Sequence, residues 1–184
     1  MKRIDTSLPG TFLIEPTVFG DERGFFFESY HEAKFARMGM TDRFVQDNHS
    51  RSVKGTLRGL HYQLKRPQAK LCRVIQGEVL DVVVDIRRGS PHFGKYERMV
   101  LSAENKRLIF VPAGFAHGFL VLSETAEFLY KCSDFYDQDD ERGVAWNDPD
   151  IGIDWGIEHP ILSAKDGRNP PLSRVPPEDL PEFR

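Results

Sequence analysis

Cysteine is nearly absent from this chain: Cys72 and Cys132 are the only two among 184 residues. Each sits inside a strand-like apolar segment, so two buried, reduced thiols are expected rather than a disulfide framework. Tryptophan is equally scarce, with two residues against fourteen phenylalanines, a balance that suits a packed β core. No apolar run approaches the roughly 20 residues of a membrane-spanning helix. Behind Met1-Lys2-Arg3-Ile4-Asp5 there is no long apolar stretch of a secretory signal, so a cytoplasmic location is expected. Positive charge is not in surplus either. The net charge is −3 with no basic stripe, which argues against a general nucleic-acid binder. Hydrophobic residues make up 40% and charged ones 29%, as in a globular domain able to bury a substantial core. No repeat or linker divides the chain, and residues 1–184 are read as one domain.

What is present is alternation of period two. Short β-prone runs span Thr11–Ile14, Phe25–Tyr30, Lys70–Ile75, Glu78–Ile86, Tyr96–Leu101, Arg107–Val111, Gly118–Leu122 and Glu127–Cys132. Turn signals such as Gly89-Ser90-Pro91 and Pro112-Ala113-Gly114 separate them. Val79–Asp85 is apolar on both faces over much of its length, as an interior strand would be. One helix is expected over His31–Met38, with Ala33, Phe35, Ala36 and Met38 on its packed side. Residues 169–184 are proline-rich and read as an extended tail over the surface. Many short strands at regular spacing define an all-β sandwich or jelly-roll barrel with short peripheral helices.

The most telling absence is chemical. In Arg58-Gly59-Leu60-His61-Tyr62-Gln63, five residues separate Gly55 from His61, and a second histidine, His117, closes Pro112-Ala113-Gly114-Phe115-Ala116-His117. These spacings resemble the two halves of a cupin barrel's site. The metal-binding form of that motif continues His-x-His and carries a Glu seven residues before its closing glycine. Here Gln63 and Lys70 occupy those positions, with Gly77 closing the motif. A divalent ion wants neutral imidazole and carboxylate around it, and an ammonium repels it. No metal and no other cofactor is therefore expected, and the interior reads as rebuilt for an anionic organic molecule.

Each residue has a plain reading beside the chemical one. His61 is a candidate base near neutral pH if a carboxylate fixes its tautomer; the alternative is a structural histidine. Strand alternation puts Gly59, His61 and Gln63 on one face and Arg58 on the other, unless a bulge re-aims it. Lys70 is either an edge lysine in solvent or a cation aimed at a developing oxyanion. Arg23 and Arg58 stand beside Gly24 and Gly59, an arrangement that suits phosphate recognition. Tyr130 is a proton donor or a core tyrosine. Asp166 lies in a turn-like stretch where acids usually meet only water.

Seven blocks then carry a wider resemblance over nearly the whole chain. They are Phe19–Phe26, Phe44–Ser50, Leu57–Gln63, Pro112–Phe119, Glu127–Lys131, Trp146–Asp148 and Leu162–Asp166. Together they resemble the dTDP-4-dehydrorhamnose 3,5-epimerase family of cupin-type nucleotide-sugar epimerases. The resemblance implies His61 as catalytic base held by Asp166, Tyr130 as acid on the opposite sugar face, and Lys70 stabilising an enolate. It implies that Arg23, Phe26, Glu28, Gln46, Asn48, Arg58, Lys70, His117, Glu141 and Lys165 contact a dTDP-4-keto-6-deoxyhexose. It also implies a homodimer whose N-terminal region crosses to the partner, so that Arg23 and Glu28 serve the neighbouring subunit's site.

The chemistry agrees with the missing metal ligands. A 4-keto group acidifies the protons on C3 and C5, and inversion needs a base, an acid across the ring and a cation near the carbonyl oxygen. Three other readings compete: an enzyme of the same fold that inverts one carbon or isomerises the keto group, with Tyr136 among the deciding residues; a metal cupin using His61, His117 and His49; and a barrel that only binds. Activity is predicted to survive prolonged EDTA treatment. Loss of turnover that zinc, iron or manganese restored would overturn the metal-free reading.

Overall fold

The structure, a computed structural model, describes residues 1–183. Its elements run β1 (Lys2–Asp5), β2 (Phe12–Glu15), β3 (Phe19–Asp21), β4 (Gly24–Phe26), α1 (Glu32–Arg37), β5 (Gln46–Val53), β6 (Leu57–Gln63) and β7 (Lys70–Gln76). There follow β8 (Glu78–Asp85), β9 (Tyr96–Ser102), β10 (Leu108–Val111), β11 (Phe115–Val121), β12 (Thr125–Cys132) and β13 (Glu141–Gly143). One sheet has the order β1-β2-β10-β7-β12-β5 and the other β13-β6-β11-β8-β9, while β3 and β4 form a separate hairpin. This is the all-β jelly-roll architecture expected of a cupin-type barrel. Among the described residues, no helix is long and apolar enough to cross a membrane.

Three apolar clusters explain why the strands hold. Between the sheets, Cys72, Val74, Ile109, Val111 and Phe128 from one sheet meet Val79, Val83, Phe115 and Phe119 from the other. The outer face of the five-stranded sheet is not left to water. Leu57, Leu60, Tyr62, Val82 and Val84 pack under Trp155, Leu172, Val175 and Leu180 from the C-terminal region. On the far side, Phe35 and Met40 cover Phe12, Ile14, Leu71 and Phe110 of the six-stranded sheet. Each fully buried Leu, Val or Phe contributes on the order of 1.5–3 kcal/mol. The two-sided apolar character of Val79–Asp85 follows, since β8 is buried on both faces.

Several boundaries differ from expectation for identifiable reasons. The helix spans Glu32–Arg37 and buries only Phe35, while Ala33 and Ala36 are exposed. A helix this short presents a single anchor, and Met38 and Met40 complete the contact from beyond its end. The Phe25–Tyr30 run forms strand only through Phe26. Strand β11 begins at Phe115, directly after the Gly114 turn, rather than at Gly118. Strand β5 escaped the hydrophobic pattern because it is an edge strand whose sequence, Gln46 to Val53, alternates polar with polar. The proline-rich C-terminal segment lies over the surface, but it is pinned there by buried Leu172, Val175 and Leu180 and by two short 3-10 turns.

The feature that shapes the site is a bulge in β6. Its partner β11 pairs His117 with His61 but Phe119 with Arg58, so two residues of β6, Gly59 and Leu60, oppose one of β11, Gly118. The extra residue puts Leu57 and Leu60 on the same covered face and turns both Arg58 and His61 toward the interior. Glycine is required on both strands at this crossing. Gly59 has φ +130, and a Cβ there would lie 2.6 Å from the Gly118 Cα. A Cβ on Gly118 would lie 2.6 Å from the Arg58 carbonyl oxygen. Gly118→Ala is accordingly predicted to destabilise the fold by about 1–3 kcal/mol through overpacking against backbone. Denaturant midpoints check this, and an unchanged midpoint would show that the crossing relaxes freely.

Candidate active site

A cavity of about 380 Å³ opens between the sheets. Strands β6, β11 and β13 supply Arg58, His61, Gln63, His117, Phe119 and Glu141 to one wall. Strands β5, β7 and β12 supply Asn48, Ser50, Lys70, Phe128 and Tyr130 to the other. Tyr136 and Gln68 stand at loops on its border. Phe119 and Phe128 stack at 4.2 Å between ring centres and form an apolar floor.

His61 is held by a carboxylate from a distant part of the chain. Its Nε2 lies 2.6 Å from Asp166 Oδ1. Asp166 begins a 3-10 turn and is almost fully buried, at 4% exposure, rather than facing water as a turn acid usually does. Burial pushes the Asp166 carboxyl up, but the hydrogen bonds from His61 and Ser163 outweigh it and hold it below the ordinary aspartate range. An ionised Asp166 places the imidazole proton on Nε2 and leaves the Nδ1 lone pair free, the tautomer that a base requires. Glu141 Oε1 stands 3.7 Å from that Nδ1. Glu141 in turn accepts from Lys165 Nζ and, at 2.8 Å, from the Tyr136 hydroxyl. Those bonds overcome the upward push of burial and keep Glu141 ionised below its usual range.

His117 forms a second dyad with Asp81, at 2.9 Å to both carboxylate oxygens. Asp81 is fully buried on β8 and was missed by the sequence reading. The available signal was an acid inside an apolar interior strand, because a buried carboxylate needs a partner. Across the cavity, burial pushes the Tyr130 phenol far up, so its hydroxyl stays protonated at neutral pH. That hydroxyl makes no hydrogen bond among the described residues, and neither Arg58 nor Lys70 forms an ion pair with any described carboxylate. Arg58 Nε donates only to Ser52 Oγ at 3.0 Å.

The positions expected of a metal motif do other things here. Gln63 accepts from the Asp137 N–H at 2.9 Å and donates to the Arg66 carbonyl at 2.9 Å, tying two rim loops together. The Leu64–Gln68 stretch is not loose, because Lys65 and Arg66 N–H groups donate to the buried Asp140 carboxylate. Gln46 and Asn48 bond each other, and Gln46 also accepts from the Tyr136 N–H. Arg23, Phe26 and Glu28 lie apart from the cavity of their own chain. Arg23 pairs with Asp21, Glu28 with Lys34, and the Phe26 ring is 67% exposed.

The jelly-roll barrel thus holds a carboxylate-bound histidine facing a protonated phenol, groups that acid–base chemistry uses. Comparison with known proteins gives the family: the model described as dTDP-4-dehydrorhamnose 3,5-epimerase matches residues 5–174. The enzyme of that name from Pseudomonas aeruginosa is 57% identical over 168 residues, 90% of this chain and 93% of its own. The crystal structure of dTDP-6-deoxy-D-glucose-3,5-epimerase from Legionella pneumophila, in complex with dTDP-4-keto-L-rhamnose, superposes with a TM-score of 0.97. It is 49% identical and covers 100% of this chain and 98% of its own. A 3'-monoepimerase from Streptomyces bikiniensis, in complex with dTDP-quinovose, shares the fold at a TM-score of 0.89 and 35% identity, covering 96% of this chain and 91% of its own. The chain belongs to the dTDP-4-dehydrorhamnose 3,5-epimerase family.

The Asp166 dyad generates a prediction with two readouts. Asp166→Asn should lower turnover by about 10²–10⁴-fold, because the amide no longer fixes the imidazole tautomer. A carboxyl held below its ordinary value stabilises the fold above that value, near 3.8, and loses this contribution as pH falls through its folded value. The asparagine variant should therefore show a flatter loss of stability in acid. Denaturant melts across that window, with steady-state kinetics near neutrality, check both.

Proposed function

We propose that the chain inverts C3 and C5 of dTDP-4-dehydro-6-deoxy-D-glucose, giving dTDP-4-dehydro-L-rhamnose. The observation that carries this is the facing pair: a carboxylate-held imidazole on β6 and a protonated phenol on β12, with two unpaired cations in the same cavity. His61 Nδ1 takes the proton α to the ketone, and Asp166 stabilises the imidazolium that results. Lys70 faces the carbonyl oxygen as it becomes negative. Tyr130 returns a proton from the opposite face, which inverts the carbon. Burial keeps the hydroxyl protonated, so it holds a proton to give. Arg58 takes a diphosphate oxygen, since its fork has free N–H groups and its neighbour Gly59 adds no bulk. His117, Asn48, Glu141 and Lys165 bind the sugar nucleotide. Proton transfer α to a ketone moves no electrons between molecules, so the reaction calls for no redox cofactor.

The protein works in this reading as a cytoplasmic homodimer. Phe19, Phe25 and Phe26 are exposed together on the β3–β4 hairpin, and an apolar patch of this kind marks an interaction surface. Arg23, Phe26 and Glu28 on and after that hairpin then reach the partner's cavity. A second reading, inversion of one carbon only, has the Streptomyces bikiniensis 3'-monoepimerase as its precedent.

Incubation with dTDP-4-keto-6-deoxyglucose in D₂O, followed by NMR, decides between them. Deuterium at both C3 and C5 supports the double epimerase, label at one carbon supports the second reading, and no exchange rejects both. His61→Ala should abolish exchange and epimerisation together. Tyr130→Phe should retain exchange, because the proton can return from the His61 side, while inversion falls by about 10²–10⁴-fold. Wild-type inversion by Tyr130→Phe would remove that hydroxyl from the mechanism.

A further inference from the structure

The base and Glu141 sit on neighbouring strands, and β13, which carries Glu141, is only three residues long at the edge of its sheet. The ladder is short, extended only by a Leu60–Val144 pair that exchanges both backbone bonds at 3.3 and 3.0 Å, so side-chain contacts share in setting the approach of Glu141 to His61. The cross-strand register places Arg142 opposite Tyr62, the residues that follow Glu141 and His61. Both of them bond a single residue of the C-terminal segment. The Tyr62 hydroxyl donates to the Asp179 carbonyl at 2.9 Å, and Arg142 Nε donates to Asp179 Oδ1 at 2.9 Å. Tyr62 is 4% exposed, so its hydroxyl must be satisfied at this point. Arg142 Nη1 also reaches Asp140 Oδ1 at 2.8 Å, and the same carboxylate accepts the Lys65 and Arg66 N–H groups of the rim.

We infer that Asp179 is a positioning residue for the epimerisation: from the covered face of the sheet it clamps the Arg142–Tyr62 pair and so sets where Glu141 and His61 stand in the cavity. It touches no substrate. Its effect travels through one residue on each strand, because alternation puts Arg142 and Tyr62 on the outer face and Glu141 and His61 on the inner one. The assignment rests on the reading of His61 as the base. Loss of the clamp lets a three-residue edge strand shift, and misplacement by about 1 Å can cost up to about 10²-fold in rate.

The test compares tail variants of the whole chain with dTDP-4-keto-6-deoxyglucose. Asp179→Ala keeps the carbonyl that Tyr62 uses but removes the Arg142 Nε partner, leaving Arg142 tied only to Asp140 on its own strand side, and should lower kcat about tenfold with KM within about twofold. Asp179→Asn retains an Oδ1 acceptor and should recover most of that loss. Glu182→Ala, which breaks the Arg88–Glu182 ion pair further along the same segment, should leave kcat unchanged. Should Asp179→Ala fail to fold, Arg142→Lys carries the same expectation, because it removes the Nε and Nη1 geometry while keeping the charge. A normal kcat in these variants, or an equal fall in Glu182→Ala, would overturn the positioning role. Deuterium wash-in surviving in His61→Ala would instead overturn the reading of the base beneath it.

Discussion

Charge placed between two apolar sheets must find a partner or a purpose, and that constraint organises the barrel. Removing an ionised group from water without compensation costs several kcal/mol at least. Asp81 meets that cost through His117, Asp85 through Arg87 and Ser90, and Asp166 through His61. Asp140 accepts two backbone N–H groups and Arg142. At the cavity two cations, the exposed Arg58 and the half-buried Lys70, have no carboxylate partner among the described residues. A cavity that holds these two cations while Asp81 and Asp166 are committed to histidines and Glu141 to Lys165 and Tyr136 is a place for an anion that carries an acidic C–H.

The apolar layers serve the same end. Because the outer face of the five-stranded sheet and the β2, β10 and β7 part of the six-stranded one are covered, those strands cannot slide to exchange one face for the other, and register is strongly specified. That rigidity allows a single bulge in β6 to decide the site. It turns Arg58 inward beside His61 and leaves Leu57 and Leu60 on the covered side. The cover over the five-stranded sheet is also chemical, since the chain that supplies Leu172 and Val175 delivers Asp166 just before them. Packing and the candidate site are thus joined through one segment, which also bonds the β13 edge through Asp179.

Much of this was legible from residues alone. Period-two alternation identified the β class and most strands, and the Gly55-to-His61 spacing, with Gln63 and Lys70 at the metal-motif positions, pointed to an interior for an anionic organic molecule. Strand β5 was not legible, because an edge strand that is polar on both faces carries no hydrophobic period. Asp81 was hidden within an apolar run, and its pairing with His117 depends on a diagonal between adjacent strands.

The amino-acid order by itself determined which chemistry was possible: local spacing places histidine, lysine and tyrosine in strands, and local propensity builds those strands. Only the tertiary structure decided which side chains share a cavity. Asp166 lies 105 positions from His61, a separation that no period spans. Arg58 faces inward because of a bulge, which pairing with β11 creates and the sequence of β6 alone does not reveal. The hairpin bearing Arg23 stands clear of its own cavity for the same reason that the dyad forms: long-range packing, not neighbouring residues, sets where each element comes to rest.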